Sequence, residues 1–316
     1  MNKVLILGGA GFIGSQIAEE FSKNSSVTII DGLIQRTGGN YKNISHIKGL
    51  TFINKCIENV SNLSNIVSKQ DVIIDCMGWT SHLGAINDPF FDLKLNLSSH
   101  LYLLNSLKNN LKKNCVIIYL GSTSQYGSNQ KISIDETSEM LPTDIHGMNK
   151  LSAEHYFRVY SYLYDINVVS LRIPNCYGKN QPYIGEDVGL IGGFIRSGLL
   201  TRNIVVYEND RKRNFIYIKD LVNTIYKITR TKNISFGSYN VPSINMKIIE
   251  IAELISSLIE ECKITIEEIP ENIKKLDGNG YILDCTKIFN KISFHEMSDI
   301  KETLKITIQY FREKIL

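Results

Sequence analysis

The sequence lacks any apolar run of the roughly eighteen residues that a membrane-spanning helix needs, so no membrane anchor or membrane partner is expected. Its amino terminus has an early lysine and a short apolar segment, but glycines follow too soon for a secretory signal peptide. Basic clusters interleaved with aromatic residues are also missing, and the net charge is only +3, so no nucleic-acid partner is expected.

Cysteine and histidine occur without the spacings that disulfide frameworks and metal sites use. The six cysteines are scattered and include no C-x-x-C pair, and several lie in or beside apolar stretches. The six histidines form no H-x-x-x-H or mixed Cys/His pattern. We therefore expect reduced thiols, a cytoplasmic location and no metal site.

The first half of the chain alternates short apolar segments with amphipathic ones. This pattern predicts strands at residues 4–7, 27–31, 50–54, 72–77, 115–120 and 167–172, and helices at 13–22, 89–107 and 146–164. Such alternation is typical of a parallel sheet covered by helices on both faces. The predicted fold class is α/β: a Rossmann-type doubly wound parallel sheet with a smaller, mixed α/β carboxy-terminal lobe.

The second half is less regular. Its pattern predicts a strand at residues 204–207 and helices at 189–200, 219–230, 246–261 and 300–315. Asn245 directly precedes the third of these amphipathic helices and is predicted to be its N-cap. Because no polar linker separates the halves, the second lobe is expected to pack directly on the first.

A glycine pattern follows the first strand and precedes the first helix. Gly8, Gly11 and Gly14 form G-x-x-G-x-x-G, which lets the backbone turn tightly and approach a pyrophosphate at the positive end of a helix. Asp31 ends the second strand about twenty residues later, where a carboxylate binds ribose hydroxyls and repels a 2′-phosphate. NAD is therefore favoured over NADP as the cofactor, although the nearby Arg36 leaves NADP open.

Further motifs follow in a fixed order along the chain. After Gly-Gly-Ala-Gly-Phe-Ile-Gly-Ser come Gly-Ser-Thr-Ser-Gln-Tyr-Gly at 121–127, Lys150, Arg-Ile-Pro-Asn-Cys-Tyr-Gly at 172–178, and Arg-Asn-Phe-Ile-Tyr-Ile-Lys-Asp at 213–220. This ordered set resembles the nucleotide-sugar epimerases and dehydratases of the extended short-chain dehydrogenase/reductase family over nearly the whole chain. The resemblance implies an NAD-binding domain at 1–173 and a nucleotide-sugar-binding lobe at 174–316, with part of 212–243 returning to the first domain.

The resemblance implies three catalytic positions. Ser122 would hydrogen-bond the sugar oxygen at the carbon that is oxidised, and Lys150 would bind the nicotinamide ribose. The family's catalytic tyrosine stands four residues before that lysine, but position 146 in this chain is histidine. A histidine can exchange protons at neutral pH, so His146 is one candidate for the base. The alternative is that His146 is a partly exposed residue at a helix start and that the tyrosine's function has been lost.

The remaining site positions also follow from the motifs and the resemblance. Asn175 and Arg213 match positions that hold the substrate's diphosphate, and an arginine fork suits that role. Thr80 belongs to a loop that would line the cofactor and sugar pocket; the neighbouring Trp79 and His82 could contact sugar or simply pack. The predicted cofactor contacts are Gly8, Gly11, Phe12, Ile13, Gly14, Asp31, Gly32, Lys150 and Pro174.

The function expected is an NAD-dependent nucleotide-sugar epimerase that works through a transient keto sugar. The dehydratase branch of the family carries an Asp-Glu pair after its catalytic threonine, whereas Thr123 and Ser124 follow Ser122 here. A ketoreductase, a dehydratase, and a non-catalytic protein that binds NAD or a nucleotide sugar remain the alternatives. A nucleotide-diphosphate sugar is the expected partner, and the resemblance implies a homodimer.

Overall fold

The computed structural model describes residues 2–108, 110–112, 114–129, 131–185, 187–207, 211–231, 234, 236–271, 280–293 and 296–316. A seven-stranded parallel sheet forms its centre, with the strand order β11-β7-β5-β4-β1-β2-β3. These strands are β1 (Asn2–Leu7), β2 (Ser25–Asp31), β3 (Thr51–Asn54), β4 (Val72–Asp75), β5 (Val116–Ser122), β7 (Val168–Ile173) and β11 (Gly237–Asn240). The order runs outward in both directions from β1 and β4, which confirms the Rossmann-type doubly wound sheet.

Each face of the sheet is covered because successive strand residues point to opposite sides. Val4 and Ile6 of β1 belong to one buried apolar cluster, while Leu5 and Leu7 belong to a second cluster on the other face. The near-continuous apolar composition of these strands is what burial on both faces requires.

The helices that follow the first strands are short or interrupted. They are α1 (Phe12–Phe21), α2 (Leu63–Val67), α3 (His82–Asn87), α4 (Pro89–Leu93) and α5 (Ser99–Leu107). The predicted helix at 89–107 is present but is split by a π-helical turn at Lys94–Ser98. That turn contains Asn96, whose side chain binds the backbone N–H and C=O of Trp79.

The remaining helices carry the rest of the site. They are α6 (Ile145–Tyr164), α7 (Gly189–Thr201), α8 (Ile218–Arg230), α9 (Ile248–Ser257), α10 (Thr286–Phe289) and α11 (Ile300–Ile315). The side chain of Asp144 caps α6, as its Oδ1 accepts a hydrogen bond from the Gly147 backbone N–H at 2.6 Å. In the described residues, no helix is long and apolar enough to cross a membrane.

Three small sheets lie beside the main one. They pair β8 (Asn175–Tyr177) with β10 (Lys212–Tyr217) and β12 (Ile244–Lys247), β9 (Asn203–Tyr207) with β13 (Lys263–Glu267), and β6 (Ser133–Ile134) with β14 (Ile282–Leu283). The expectation that Asn245 caps a helix is wrong. Asn245 lies in β12, where its amide donates to Asn214 Oδ1 and the Tyr281 carbonyl, and α9 begins after Lys247.

Candidate functional site

Two adjoining cavities open at the carboxyl ends of the central strands, where ligands bind in doubly wound folds. The smaller has a volume of about 450 Å³ and is lined by the glycine turn and the end of β2. The larger, of about 690 Å³, extends toward β8, β9 and β10. Both are lined by Phe12, Ile13, Cys76, Met77, Gly78, Thr80 and Asp187, so they form one continuous cleft.

The glycine turn has the shape that a pyrophosphate requires. Gly8 has a φ of +69°, and a Cβ on Gly14 would lie only 2.3 Å from the Gly8 carbonyl oxygen. Gly11 stands at the N-cap of α1 without any capping side chain. The smaller cavity is lined by Gly8, Gly11, Phe12, Ile13 and Gly14, so backbone N–H groups and the helix dipole face an open space that fits a dinucleotide.

The carboxylate of Asp31 is fixed at the end of β2. Its Oδ2 accepts a hydrogen bond from the Ala10 N–H at 2.9 Å, and its Oδ1 accepts one from the Leu33 N–H at 2.8 Å. Burial raises the pKa of Asp31, and these two hydrogen bonds lower it in part. A carboxylate has about four acceptor positions, so Asp31 keeps capacity for ribose hydroxyls. Asp31 and Gly32 both line the smaller cavity.

Arg36, the residue that kept NADP possible as a cofactor, has its contacts outside the smaller cavity. Its guanidinium lies over the rings of Trp79 and Phe91, at 4.8 and 4.6 Å from their centroids, and donates to Asp88 Oδ2 at 2.8 Å. Trp79 is fully buried in this cluster, so its indole packs and does not line the cleft. The positive charge that would attract a 2′-phosphate is thus paired with Asp88.

Ser122 presents a hydroxyl to the larger cavity from the end of β5. Its Oγ accepts hydrogen bonds from the Ser124 backbone N–H at 3.1 Å and from the Ser124 hydroxyl at 2.8 Å. A serine hydroxyl has two acceptor positions and one proton. Because both acceptor positions are used, the proton of Ser122 is left to donate to a ligand oxygen.

Lys150 lines the larger cavity next to Met77, which lines both cavities. Its Nζ is 3.4 Å from the Met77 carbonyl and 3.2 Å from the Leu120 carbonyl. Burial lowers the pKa of Lys150, and the charges of Asp75 and Asp92 raise it only in part. An ammonium group has three donors, so one remains for a ligand in the cleft.

His146 is buried in the wall of the larger cavity with 2% of its surface exposed, which differs from the partly exposed helix-start residue of the alternative. Its Nδ1 lies 3.6 Å from Asp92 Oδ2 and 3.4 Å from the Asn96 amide nitrogen. Burial lowers the pKa of His146, and Asp92 offsets only part of this effect, while His82 and Lys150 lower the pKa further. The imidazole is therefore uncharged at neutral pH and can accept a proton.

Three predicted ligand residues lie in the outer part of the cleft. Thr80 donates through both its backbone N–H and its hydroxyl to Asp187 Oδ1, at 3.0 and 2.9 Å, so its hydroxyl proton is already engaged. Asn175 of β8 donates to the Asn214 carbonyl at 3.1 Å, and Arg213 of β10 donates to a backbone carbonyl beside it. Asn175, Arg213 and Pro174 all line the larger cavity.

Residues 4–241 match the protein-family model described as the NAD dependent epimerase/dehydratase family. The chain belongs to this family. It is accordingly an enzyme whose cofactor is NAD, and the cleft described above fits that cofactor.

Named members of the epimerase/dehydratase family match almost the full chain. The chain is 25% identical to a putative UDP-glucose 4-epimerase from Methanocaldococcus jannaschii, with 98% of each chain covered. It is 22% identical to a CDP-paratose 2-epimerase from Salmonella typhi, covering 95% of this chain and 96% of that one. A solved UDP-N-acetylglucosamine 4-epimerase from Methanobrevibacter ruminantium M1, in complex with UDP-N-acetylmuramic acid, matches with a TM-score of 0.89, 26% identity and 99% coverage of both chains.

Two carboxylates at the cleft, Asp92 and Asp144, were not among the site residues predicted from the sequence. Asp92 is fully buried and accepts hydrogen bonds from Asn96 and Asn149, both at 2.8 Å. Burial raises the pKa of Asp92, but its hydrogen bonds and His146 lower it more, so the carboxylate is ionised. The position of Asp144 directly before the helix pattern could have identified it as an N-cap. Local sequence does not mark Asp92, because the partners that place it beside the cleft, Asn149 and His146, are more than fifty residues away in sequence.

Proposed function

We propose that this enzyme is a nucleotide-sugar epimerase that works through a transient keto sugar and uses His146 where the family uses tyrosine. The observation that carries the proposal is the setting of His146: a buried imidazole whose Nδ1 is 3.6 Å from the Asp92 carboxylate, lining the same cavity as Ser122 and Lys150. A carboxylate behind one ring nitrogen favours the tautomer with its proton on that nitrogen, so the other nitrogen is free to act as a base.

Ser122, His146 and Lys150 each have a separate role in the oxidation step. When bound, NAD supplies the oxidant, taking a hydride from the sugar carbon and later returning it. Ser122 donates a hydrogen bond to the sugar oxygen, and His146 takes the proton of that hydroxyl and later gives it back. Lys150 holds the cofactor ribose and keeps a positive charge near the reacting carbon, where it stabilises the developing alkoxide.

The diphosphate of the substrate is proposed to bind Asn175 and Arg213, which lie on neighbouring strands of one small sheet. Thr80 is proposed to bind the substrate through its hydroxyl oxygen as an acceptor, or as a donor once its hydrogen bond to Asp187 is broken. Epimerisation is favoured over dehydration because the two residues after Ser122 are Thr123 and Ser124, neither of which is an acid. The printed names of the relatives suggest uridine nucleotides as the first substrates to test.

The test is a panel of UDP-, GDP-, CDP- and dTDP-hexoses incubated with purified protein and followed by proton NMR. We expect one or more of them to be converted to an epimer with no net change in cofactor oxidation state. A product lacking water would instead indicate a dehydratase, and stoichiometric cofactor consumption a ketoreductase. Conversion of none of these sugars would overturn the proposal.

A variant of His146 tests the base. His146→Ala should reduce turnover by roughly 10²–10⁴-fold, the usual range for general acid–base catalysis, while NAD remains bound. The matched control is His46→Ala, which removes an exposed histidine that lines neither cavity and should not change the rate. Turnover by His146→Ala at the wild-type rate would remove this residue from the mechanism.

We also propose that the enzyme is a homodimer that pairs the outer faces of α5 and α6 with those of a second copy. These helices pack side by side, and α4 and α6 expose the large apolar residues Phe90, Val159, Tyr162 and Leu163. An apolar patch of this kind is unusual on a monomer. Light scattering should give the dimer mass at micromolar concentration, and a monomer mass would contradict the proposal.

We also propose that the enzyme is cytoplasmic, which its six free thiols support.

A further inference from the structure

A second histidine, His82, faces His146 in the larger cavity. His82 begins α3, in the loop that follows β4, and its ring meets that of His146 edge to face, with 4.7 Å between centroids and 68° between planes. Each ring has a carboxylate of its own: His82 Nδ1 lies 2.6 Å from Asp144 Oδ2, and His146 Nδ1 lies 3.6 Å from Asp92 Oδ2. The imidazoles of His82 and His146, each beside an aspartate, therefore both line the larger cavity.

The two histidines differ in access to the cavity. The side chain of His82 is 45% exposed, whereas that of His146 is 3% exposed. Asp144 is fixed from two sides, since its Oδ1 caps α6 through the Gly147 N–H while its Oδ2 binds His82. Because the two nitrogens of an imidazole lie on opposite sides of the ring, binding of Nδ1 by Asp144 directs Nε2 of His82 away from this carboxylate.

We propose that His82, positioned by Asp144, is a further catalytic residue, whose imidazolium donates a hydrogen bond to the sugar oxygen that His146 deprotonates. The inference rests on the function proposed above. During oxidation the O–H bond breaks and its proton forms an N–H bond on His146, while the electron pair of the C–H bond leaves with the hydride. His82 keeps its proton throughout and stabilises the negative charge that develops on the oxygen.

The charged groups around the pair favour this division of roles. Asp144, Asp92 and Asp187 face His82, and His146 is its ring neighbour. Burial lowers the pKa of His82, but the hydrogen bond and charge of Asp144, with the other two carboxylates, raise it to a net value above the ordinary one.

His146 has the opposite balance, because burial and the neighbouring cations His82 and Lys150 outweigh Asp92 and lower its pKa. Because the two pKa values are shifted in opposite directions, there is a pH range between them in which the pair holds one donor and one acceptor. Catalysis needs His146 without its proton and His82 with its proton. Activity should rise with pH through the pKa of His146, below about 6.5, and fall through the pKa of His82, above about 6.5.

The variant Asp144→Asn tests the positioning role without removing the helix cap, since asparagine is also a good N-cap. Loss of the negative charge should lower the pKa of His82 and move the alkaline limb of the pH–kcat profile down by about 1–3 units. Asp88→Asn is the matched control. Asp88 also caps a helix, α4, but it binds Arg36 outside the cleft, so the profile should stay as in wild type.

The variant His82→Phe tests the catalytic role. Removing one donor to a developing oxyanion should reduce kcat by roughly 10²–10³-fold, and His82→Gln, which keeps a donor without the charge, should retain more activity. In both variants the acid limb should move to higher pH, because His146 no longer faces a cation. UDP-glucose and UDP-N-acetylglucosamine are the probes, and calorimetry with NAD checks that the cofactor site is intact.

A readout independent of turnover comes from NMR titration of histidine-labelled holoenzyme. We expect His82 to titrate above the ordinary histidine value and to shift downward in Asp144→Asn. Titration of His82 at or below the ordinary value, or wild-type turnover by His82→Phe, would overturn the role of His82 while leaving the proposed function standing. If wild type converts neither probe nor any other sugar in the panel, the proposed function and this role fail together.

Discussion

Substitution of a single glycine, Gly14, should weaken NAD binding through strain at the glycine turn. In Gly14→Ala, the new methyl carbon would lie 2.3 Å from the Gly8 carbonyl oxygen and 2.8 Å from the Gly9 Cα, both of which are backbone atoms. The turn would have to retreat by about 1 Å to restore an ordinary contact. Overpacking of this kind costs about 1–3 kcal/mol, which corresponds to a loss of roughly 5- to 150-fold in NAD affinity if the strain is expressed in binding.

Calorimetry with NAD and thermal unfolding together measure where this strain appears. The matched control is Gly193→Ala in α7, where no atom lies within 4 Å of the added methyl group. This control should stabilise the protein by about 0.5–1 kcal/mol, because alanine in a helix loses less conformational entropy than glycine, and NAD affinity should be unchanged. Wild-type NAD affinity and wild-type unfolding temperature in Gly14→Ala would refute the steric reasoning.

Three further outcomes are expected. Arg213→Ala should weaken nucleotide-sugar binding by about 1.5–3 kcal/mol in calorimetry with UDP-glucose and leave NAD binding unchanged. Wild-type enzyme should bind NAD more tightly than NADP, and equal affinities would contradict the role given to Asp31. Glu154→Ala should lower the free energy of unfolding by about 3–5 kcal/mol in urea at neutral pH, because it leaves Arg172 charged and buried without its 2.6 Å partner. The pKa of Glu154 is depressed in the fold, so this stabilisation exists above its unfolded pKa and disappears as pH falls through the folded one, where variant and wild type should converge.

Six of the seven strands of the central sheet could be predicted, because each contains a short apolar segment followed by turn residues. The seventh, β11, has the sequence Gly-Ser-Tyr-Asn without an apolar run, and pairing with β7 makes it a strand. The spacing of Gly8, Gly14 and Asp31 along the sequence is local information. Their positions in the turn after β1 and at the end of β2 could therefore be predicted without the tertiary structure. The same local reasoning fails at Asn245. Its segment looks like a helix start, but pairing with β10, which is distant in sequence, makes it a strand.

The chemistry around His146 could be predicted only in part, for the same reason. Its helix and its distance from Lys150 follow from the sequence. Its burial depends on α3 and α4 packing against α6, and its carboxylate Asp92 comes from a helix more than fifty residues earlier. Burial, the largest cause of the lowered pKa of His146, likewise depends on the tertiary structure.

The cluster of Trp79 and Arg36 has a spectroscopic consequence. Trp79 is the only tryptophan in the chain, so all indole fluorescence comes from one residue. It directly precedes Thr80, which lines both cavities, and its ring is covered by the Arg36 guanidinium. A ligand that displaced Asp187 from Thr80 and moved this loop would change the surroundings of that single fluorophore. Emission from the unlabelled enzyme can therefore report in real time when the cleft fills.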